Sequence, residues 1–308
     1  MRLKSKDVIS AADLTKKEVE AILKESDVML DHLQKKKPLE VLKGKILATL
    51  FFESSTRTRL SFESAMTRLG GSVIGFSGTA GTSLKKGETL QDTMRNIEKY
   101  ADAIVMRNPV EGSARLAART ISIPLINGGD GSNQHPTQAL LDLFTIKRER
   151  GLKKLNVALC GDLKYGRTVH SLIYLLYMFG MNVTLVSPRS LMMPEYIVDD
   201  IEERYGKRPG FKEKLQDVVP WADVLYVTRI QRERFPDPNE YEKVAGSYFV
   251  DKRLLDKARK GMVILHPLPR VDEIKTEVDD TPYAKYFEQS FYGISVRMAL
   301  LNMLLGGK

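Results

Sequence analysis

Short apolar runs of strand length recur along this chain, and a polar cluster closes most of them. The runs are "KILATLFF" (45–52), "SVIGF" (72–76), "ADAIVMR" (101–107), "SIPLIN" (122–127), "LNVALCG" (155–161), "MNVTLVS" (181–187), "ADVLYVT" (222–228) and "GMVILHP" (261–267). Amphipathic segments separate them. Strand, helix, strand, helix in that order implies parallel sheets covered on both faces. Before the first run, Thr15 and Glu18 have capping-box spacing, and Val19, Ile22, Leu23, Ser26, Met29, Leu30 and Leu33 recur at helical spacing. Further helices are expected over 135–150 ("HPTQALLDLFTIKRER") and 282–305. The expected fold is α/β: two doubly wound parallel-sheet domains, hinged at the helix from 135, with the active site in the cleft between them.

The polar clusters sharpen this reading. "SSTRTR" follows the first run, Arg107 and Asn108 end the third, and "GGDGSNQHPTQ" follows the fourth. "GDLKYGR", "TRIQRER" and "HPLPR" follow runs five, seven and eight. Open α/β sheets bind ligands at the carboxyl ends of their strands, where all six clusters fall. A helix starting near Thr56 would aim its backbone N–H groups, the hydroxyls of Ser55, Thr56 and Thr58, and the Arg57 fork at one place. That is a cradle for phosphate. On the local sequence alone, an N-cap followed by exposed arginines reads equally well. The GxxxxGK[ST] loop of nucleotide-binding proteins is absent.

Composition narrows the partners. The chain has 308 residues, 43% apolar and 28% charged, with a net charge of +9. That charge suits nucleic acid, a membrane surface or small acidic substrates. The basic residues are spread along the chain rather than clustered with aromatics, against nucleic acid. The longest dense apolar run, "LIYLLYMFG" (172–180), is far short of the ~20 residues of a membrane span. "MRLKSKDVIS" has no apolar core of a secretory signal, and the single Cys160 permits no disulfide within the chain. A cytoplasmic protein is expected, with Cys160 as a buried small hydrophobe. "VALCGDLKYGRTVHSL" (157–172) has strand-loop-helix order but lacks GxGxxG, against a dinucleotide enzyme. The four histidines show no metal-ligand spacing.

"STRTRLSFE" (55–63), "HPTQALLD" (135–142) and "HPLPR" (266–270) together resemble the transcarbamylases, the aspartate/ornithine carbamoyltransferase family. "TSLKKGETLQDT" (82–93) and "FEQSFYGISVRMALL" (287–301) resemble its aspartate branch. The ornithine branch typically has His-Cys-Leu-Pro where this chain has His266 to Pro269, and its Ser-Met-Gly motif is not found. The resemblance runs from about residue 5 to the end. It implies transfer of a carbamoyl group from carbamoyl phosphate to L-aspartate, the committed step of de novo pyrimidine biosynthesis. A sister enzyme acting on ornithine or another amine is the alternative. It also implies a homotrimer, to which regulatory chains could bind, and no cofactor or metal.

The implied division is a carbamoyl-phosphate domain (1–134, completed by the helix 288–308) and an aspartate domain (135–287). The implied roles follow the motifs. Ser55, Thr56, Arg57 and Thr58 hold the phosphate, and Arg107 reaches phosphate and carbonyl. His135 and Thr58 donate to the carbonyl oxygen. Gln138 and the backbone carbonyls of Pro267 and Leu268 orient the carbamoyl NH2. Arg167 and Arg229 take the two carboxylates of aspartate, assisted by Gln231. Ser83 and Lys86 come from a neighbouring subunit. Their loop is one residue shorter than the Gly-containing version common in the family, and counting back from Gly87 and Glu88 selects Lys86. His266 reads as a structural hydrogen-bonding residue and Arg59 as either a loop or a pairing residue. "RERF" (232–235) reads as a charged loop.

Overall fold

The computed structural model describes residues 3–80, 82–230, 235, 237–244, 246 and 248–307. The chain divides into two compact units. Unit 1 is Met1–Phe144 with Phe291–Lys308, and unit 2 is Thr145–Ser290. Each is described by itself.

Unit 1 opens with α1 (Lys16–Gln34), capped as expected. The Thr15 side chain accepts from the Glu18 N–H, and the Glu18 carboxylate accepts from the Thr15 N–H at 2.9 Å. The residues picked for helical spacing are all buried in α1, together with Glu18. The following strands are β1 (Ile46–Phe51), β2 (Ser72–Ser77), β3 (Ala103–Asn108) and β4 (Leu125–Asp130). They form a parallel sheet in the order β2-β1-β3-β4. The helices between them are α2 (Thr56–Arg68), α3 (Leu90–Ile97) and α4 (Ser113–Thr120), and α5 (Pro136–Arg150) follows β4. Alternate strand residues face opposite ways. Ala48, Leu50, Ile104 and Met106 pack with Met94 of α3 and Ala114 and Ala117 of α4.

Unit 2 contains β5 (Asn156–Cys160), β6 (Asn182–Val186), β7 (Gly210–Lys212), β8 (Val224–Val227) and β9 (Val263–Leu265). They form a second all-parallel sheet, ordered β7-β6-β5-β8-β9. Among its helices are α6 (Arg167–Met178), α7 (Glu195–Tyr205), α8 (Pro238–Glu242) and α9 (Lys252–Leu255). One face of the sheet, Ala158, Cys160, Leu225, Val227 and Ile264, packs on Val219, Tyr248, Leu254 and Tyr286. Cys160 is fully buried, and that burial pushes its thiol pKa up, as expected of an inert core residue. The last helix, α10 (Tyr286–Leu305), starts four residues later than the sequence suggested.

All eight expected strands are present, and β7 is an addition. The fourth was misjudged at its end. "SIPLIN" seemed to stop at Asn127, yet β4 continues to Asp130 through a bulge opposite β3. The Asn127 side chain explains it, accepting from the Gly129 N–H at 2.8 Å and donating to Asp130 at 2.8 Å. Those bonds let two glycines remain in the sheet.

Both sheets reverse their winding direction once, between β1 and β3 in unit 1 and between β5 and β8 in unit 2. Two helices leave these strand pairs in opposite directions, so the adjacent carboxyl ends stay open to a ligand. At the second reversal Gly161 is required. Its φ is +110°, and a Cβ there would lie 2.2 Å from the Thr228 carbonyl oxygen. Replacing Gly161 with Ala should destabilise the protein by at least about 2–3 kcal/mol in chemical denaturation, through backbone strain and a clash with unyielding main chain. Thr15→Ala, which removes a cap only, should cost about 1 kcal/mol in the same measurement.

Candidate active site

In unit 1 the polar residues gather at the reversal between β1 and β3. Phe51 is in register with Arg107, and the Phe52 N–H donates to the Arg107 carbonyl at 2.9 Å. This places the loop into α2 beside the end of β3. Ser55 is the N-cap of α2 by backbone conformation, but its hydroxyl makes no capping bond. Thr58 is buried in the first turn, while Thr56 and Arg57 are exposed. The β3–β4 bulge spans Arg107, the kind of irregularity that re-aims a side chain. Arg107 Nε lies 3.3 Å from a carboxylate oxygen of Glu53, an ion pair that sets a negative charge beside the guanidinium. The sequence reading missed Glu53, although it directly precedes the hydroxyl run.

His135 is brought to the same end. The Asp130 N–H donates to the Gln134 carbonyl at 3.2 Å, closing a tight turn after β4. His135 follows it, buried, and its carbonyl accepts from the Gln138 and Ala139 N–H groups as α5 begins. Gln138 lies one turn further on the same helix face. Its amide nitrogen donates to the buried Asp142 at 2.8 Å. That bond leaves the Gln138 side-chain oxygen as the group able to receive a donor such as an NH2. Arg59 is a pairing residue. Its Nε donates to Glu63 at 2.6 Å, and Glu63 also accepts from Thr49 of β1.

Ser83 and Lys86 are exposed on a short 3-10 turn (Ser83–Lys86) in the connection from β2 to α3. They follow β2, at one edge of the sheet, and the other unit 1 candidates follow β1, β3 and β4.

In unit 2, Arg167 and Arg229 mark the reversal between β5 and β8. Arg167 is the buried first residue of α6, and its backbone N–H donates to the Tyr165 carbonyl at 3.1 Å. The loop before it is held from both ends. Asp162 accepts from the Tyr165 N–H at 2.9 Å, and the buried His170 Nε2 donates to the Leu163 carbonyl at 2.8 Å. Thr228, just before the half-buried Arg229, donates its N–H to the Cys160 carbonyl at 2.8 Å. Thus the two arginines leave neighbouring strands. Gln231 and residues 232–234 of "RERF" lie outside the described residues.

The third piece is the turn after β9. Pro267 and Leu268 are half-buried, and Leu268 has the left-handed φ of +56°, uncommon for a residue with a branched side chain. His266 Nδ1 accepts the Leu268 N–H at 2.8 Å, and Nε2 lies 2.8 Å from Glu273. Burial works against ionisation of Glu273. The hydrogen bonds from His266 and from backbone N–H groups outweigh it and hold the carboxyl below the usual carboxylate range. Beyond the turn, Arg270 pairs with Asp279 and stacks over Tyr286, with the guanidinium carbon 5.1 Å from the ring centre. The structural reading of His266 therefore holds, although its partners could not be read from the sequence. Among the described residues, no group of three or more His, Cys, Asp or Glu is placed to hold a metal ion.

Chemically, unit 1 presents a helix start, hydroxyls and an arginine suited to a phosphate, with a histidine and an amide beside them. Unit 2 presents two arginine forks suited to carboxylates, and the half-buried turn at Pro267 and Leu268.

Two family models match the chain, one in each half. Residues 6–148 match the family model described as "Aspartate/ornithine carbamoyltransferase, carbamoyl-P binding domain", and residues 153–304 match "Aspartate/ornithine carbamoyltransferase, Asp/Orn binding domain". The chain is 58% identical over 307 residues to the aspartate carbamoyltransferase catalytic subunit of Thermococcus onnurineus, covering 99% of each. A solved catalytic subunit of Methanocaldococcus jannaschii aspartate transcarbamoylase is 55% identical with a TM-score of 0.89, covering 97% of this chain and 98% of that one. The Trypanosoma cruzi aspartate transcarbamoylase, solved in complex with carbamoyl phosphate and aspartate, is 40% identical with a TM-score of 0.92, covering 97% and 96%. With both halves matched and full-length relatives above half identity, the chain belongs to the aspartate/ornithine carbamoyltransferase family.

Proposed function

We propose that this enzyme transfers the carbamoyl group of carbamoyl phosphate to the amino group of L-aspartate, giving N-carbamoyl-L-aspartate and phosphate. The observation that carries this reading is the pairing of two unlike anion half-sites, each at the winding reversal of its own sheet. Full-length relatives named for this activity, at 52–58% identity, support aspartate over ornithine. So does a second arginine on unit 2, because ornithine offers one carboxylate and aspartate two.

The chemistry asks for positioning rather than a covalent nucleophile, since phosphate is already a good leaving group. Ser55, Thr56, Arg57 and Thr58 would hold the phosphate, and Arg107 would span phosphate and carbonyl. The lone pair of the neutral aspartate amine attacks the carbonyl carbon, and charge develops on the carbonyl oxygen. His135, Thr58 and Arg107 are the donors assigned to that oxygen. The Gln138 oxygen and the Pro267 and Leu268 carbonyls would accept from the carbamoyl NH2. Collapse of the tetrahedral species breaks the carbon–oxygen bond to phosphate. The amine proton leaves to the departing phosphate or to solvent. Arg167 and Arg229, with Gln231, would take the aspartate carboxylates.

The assembly we propose is a homotrimer in which Ser83 and Lys86 act in a neighbour's site. Their exposure on a short turn in the connection that follows the edge strand β2 supports that assignment. The reading extends to a cytoplasmic enzyme feeding de novo pyrimidine biosynthesis. The relatives' name, catalytic subunit, supports regulatory chains as partners. No helix among the described residues is long and apolar enough to cross a membrane.

Acceptor assays with carbamoyl phosphate, following phosphate release, should show carbamoylation of L-aspartate and none of L-ornithine. Equal activity with both would remove the assignment. Arg229→Ala should raise the aspartate requirement about 100-fold, as expected for loss of a charge-assisted fork, while carbamoyl phosphate affinity stays within about twofold.

His135→Ala should lower turnover about 10²–10³-fold in a protein that remains folded by circular dichroism, the cost of one oxyanion donor. A covalent carbamoyl adduct trapped on His135 would contradict its role as a donor.

Arg57→Ala and Lys86→Ala subunits should each be nearly inactive alone. After dissociation and reassembly as an equal mixture, about a quarter of the sites in a cyclic trimer regain both residues. Confirmed hybrids without activity would take Lys86 out of the neighbour's site.

A further inference from the structure

The turn at Pro267 and Leu268 is governed by a buried pair that the reaction scheme above does not use. His266 and Glu273 are 2% and 8% exposed. The Leu268 N–H can only donate, so His266 Nδ1, 2.8 Å away, must be its bare acceptor. Nε2 then carries the proton and donates to Glu273 at 2.8 Å. The other Glu273 oxygen accepts from the Val271 and Asp272 N–H groups, both at 3.2 Å. The His266 N–H donates to the buried Gln289 side chain at 2.9 Å, which anchors the imidazole's own backbone.

One consequence concerns the peptide plane. The Pro267 carbonyl and the Leu268 N–H belong to one planar trans unit and point in opposite directions. Tying the N–H inward to the imidazole turns the Pro267 carbonyl away from it. Without that acceptor the plane can rotate, and Leu268, at φ +56°, has an incentive to leave its left-handed conformation.

We propose that His266, held as the Nε2–H tautomer by Glu273, is a positioning residue that aims the Pro267 and Leu268 carbonyls at the carbamoyl NH2. This rests on the acceptor role given to those carbonyls under the proposed function. The pair acts through the turn and touches no substrate. It sets the preference for a carbamoyl group over an acyl group of the same shape, because only the carbamoyl NH2 has protons to give.

The test compares binding of carbamoyl phosphate, acetyl phosphate and inorganic phosphate by calorimetry in the full chain. Acetyl phosphate replaces the NH2 with a methyl. The wild-type protein should prefer carbamoyl phosphate. His266→Asn keeps an acceptor for the N–H two residues on, as in an Asx turn, and should retain most of that preference. His266→Gln can reach Glu273 but leaves the Leu268 N–H without its acceptor, and should lose about tenfold of it. Affinities for acetyl phosphate and inorganic phosphate should be unchanged in both, which also reports an intact phosphate half-site. Retention of the full preference by His266→Gln, or an equal loss in His266→Asn, would overturn the role of His266. Absence of any preference in the wild type would instead overturn the acceptor role of the carbonyls, and the positioning role with it. Independently of any variant, nitrogen NMR of the wild-type imidazole should show Nδ1 bare and Nε2 protonated. The opposite tautomer would refute the proposal.

Discussion

Parallel strand pairing is the constraint on which everything else depends. A parallel ladder puts all carboxyl ends on one side of a sheet, and each connection must cross over through a helix. Where the crossovers change direction, two neighbouring strands deliver their loops to the same point without a helix between them. In unit 1 that point collects the α2 loop and Arg107, and in unit 2 it collects Arg167 and Arg229. The candidate residues are thus far apart in the sequence for a topological reason. The same chain geometry, used twice, presents two different sets of anion-suited side chains because the loops differ.

Much of this was legible in the residues. The helix starting at Thr15 was readable because its cap and apolar face are local, lying within one segment. The eight strands other than β7 were readable because each carries a local apolar run, and most of them, down to the three-residue β9, are buried almost throughout. β7 escaped because Gly210–Lys212 is a three-residue edge strand with little buried surface, so no apolar run records it. The end of β4 escaped because two glycines usually close a strand, and only the Asn127 side chain keeps them in the ladder.

The site was legible to a different depth. Hydroxyls and arginines after strands pointed to an anion without any structure. Which group orients which could not be read. Asp142 fixing the Gln138 amide spans a single helical turn and was in principle detectable. Glu53 against Arg107 joins residues from neighbouring strands and appears only when the sheet forms. His266 shows the limit most clearly. Its spacing to Glu273 suggests nothing regular, and its role depends on a turn whose backbone is itself unusual.

The start of α2 carries a consequence of its own. Ser55 occupies the N-cap position and yet does not cap the helix. An aspartate there would do so readily, and would gain about 0.5–1 kcal/mol from the cap and the helix dipole together. It would also place a fixed negative charge where an incoming anion belongs. Selection for folding alone would accept that change, and selection for turnover would reject it. On the function proposed above, the first turn of α2 is therefore a point where the chain stays less stable than twenty amino acids allow, so that the helix start is left to a substrate.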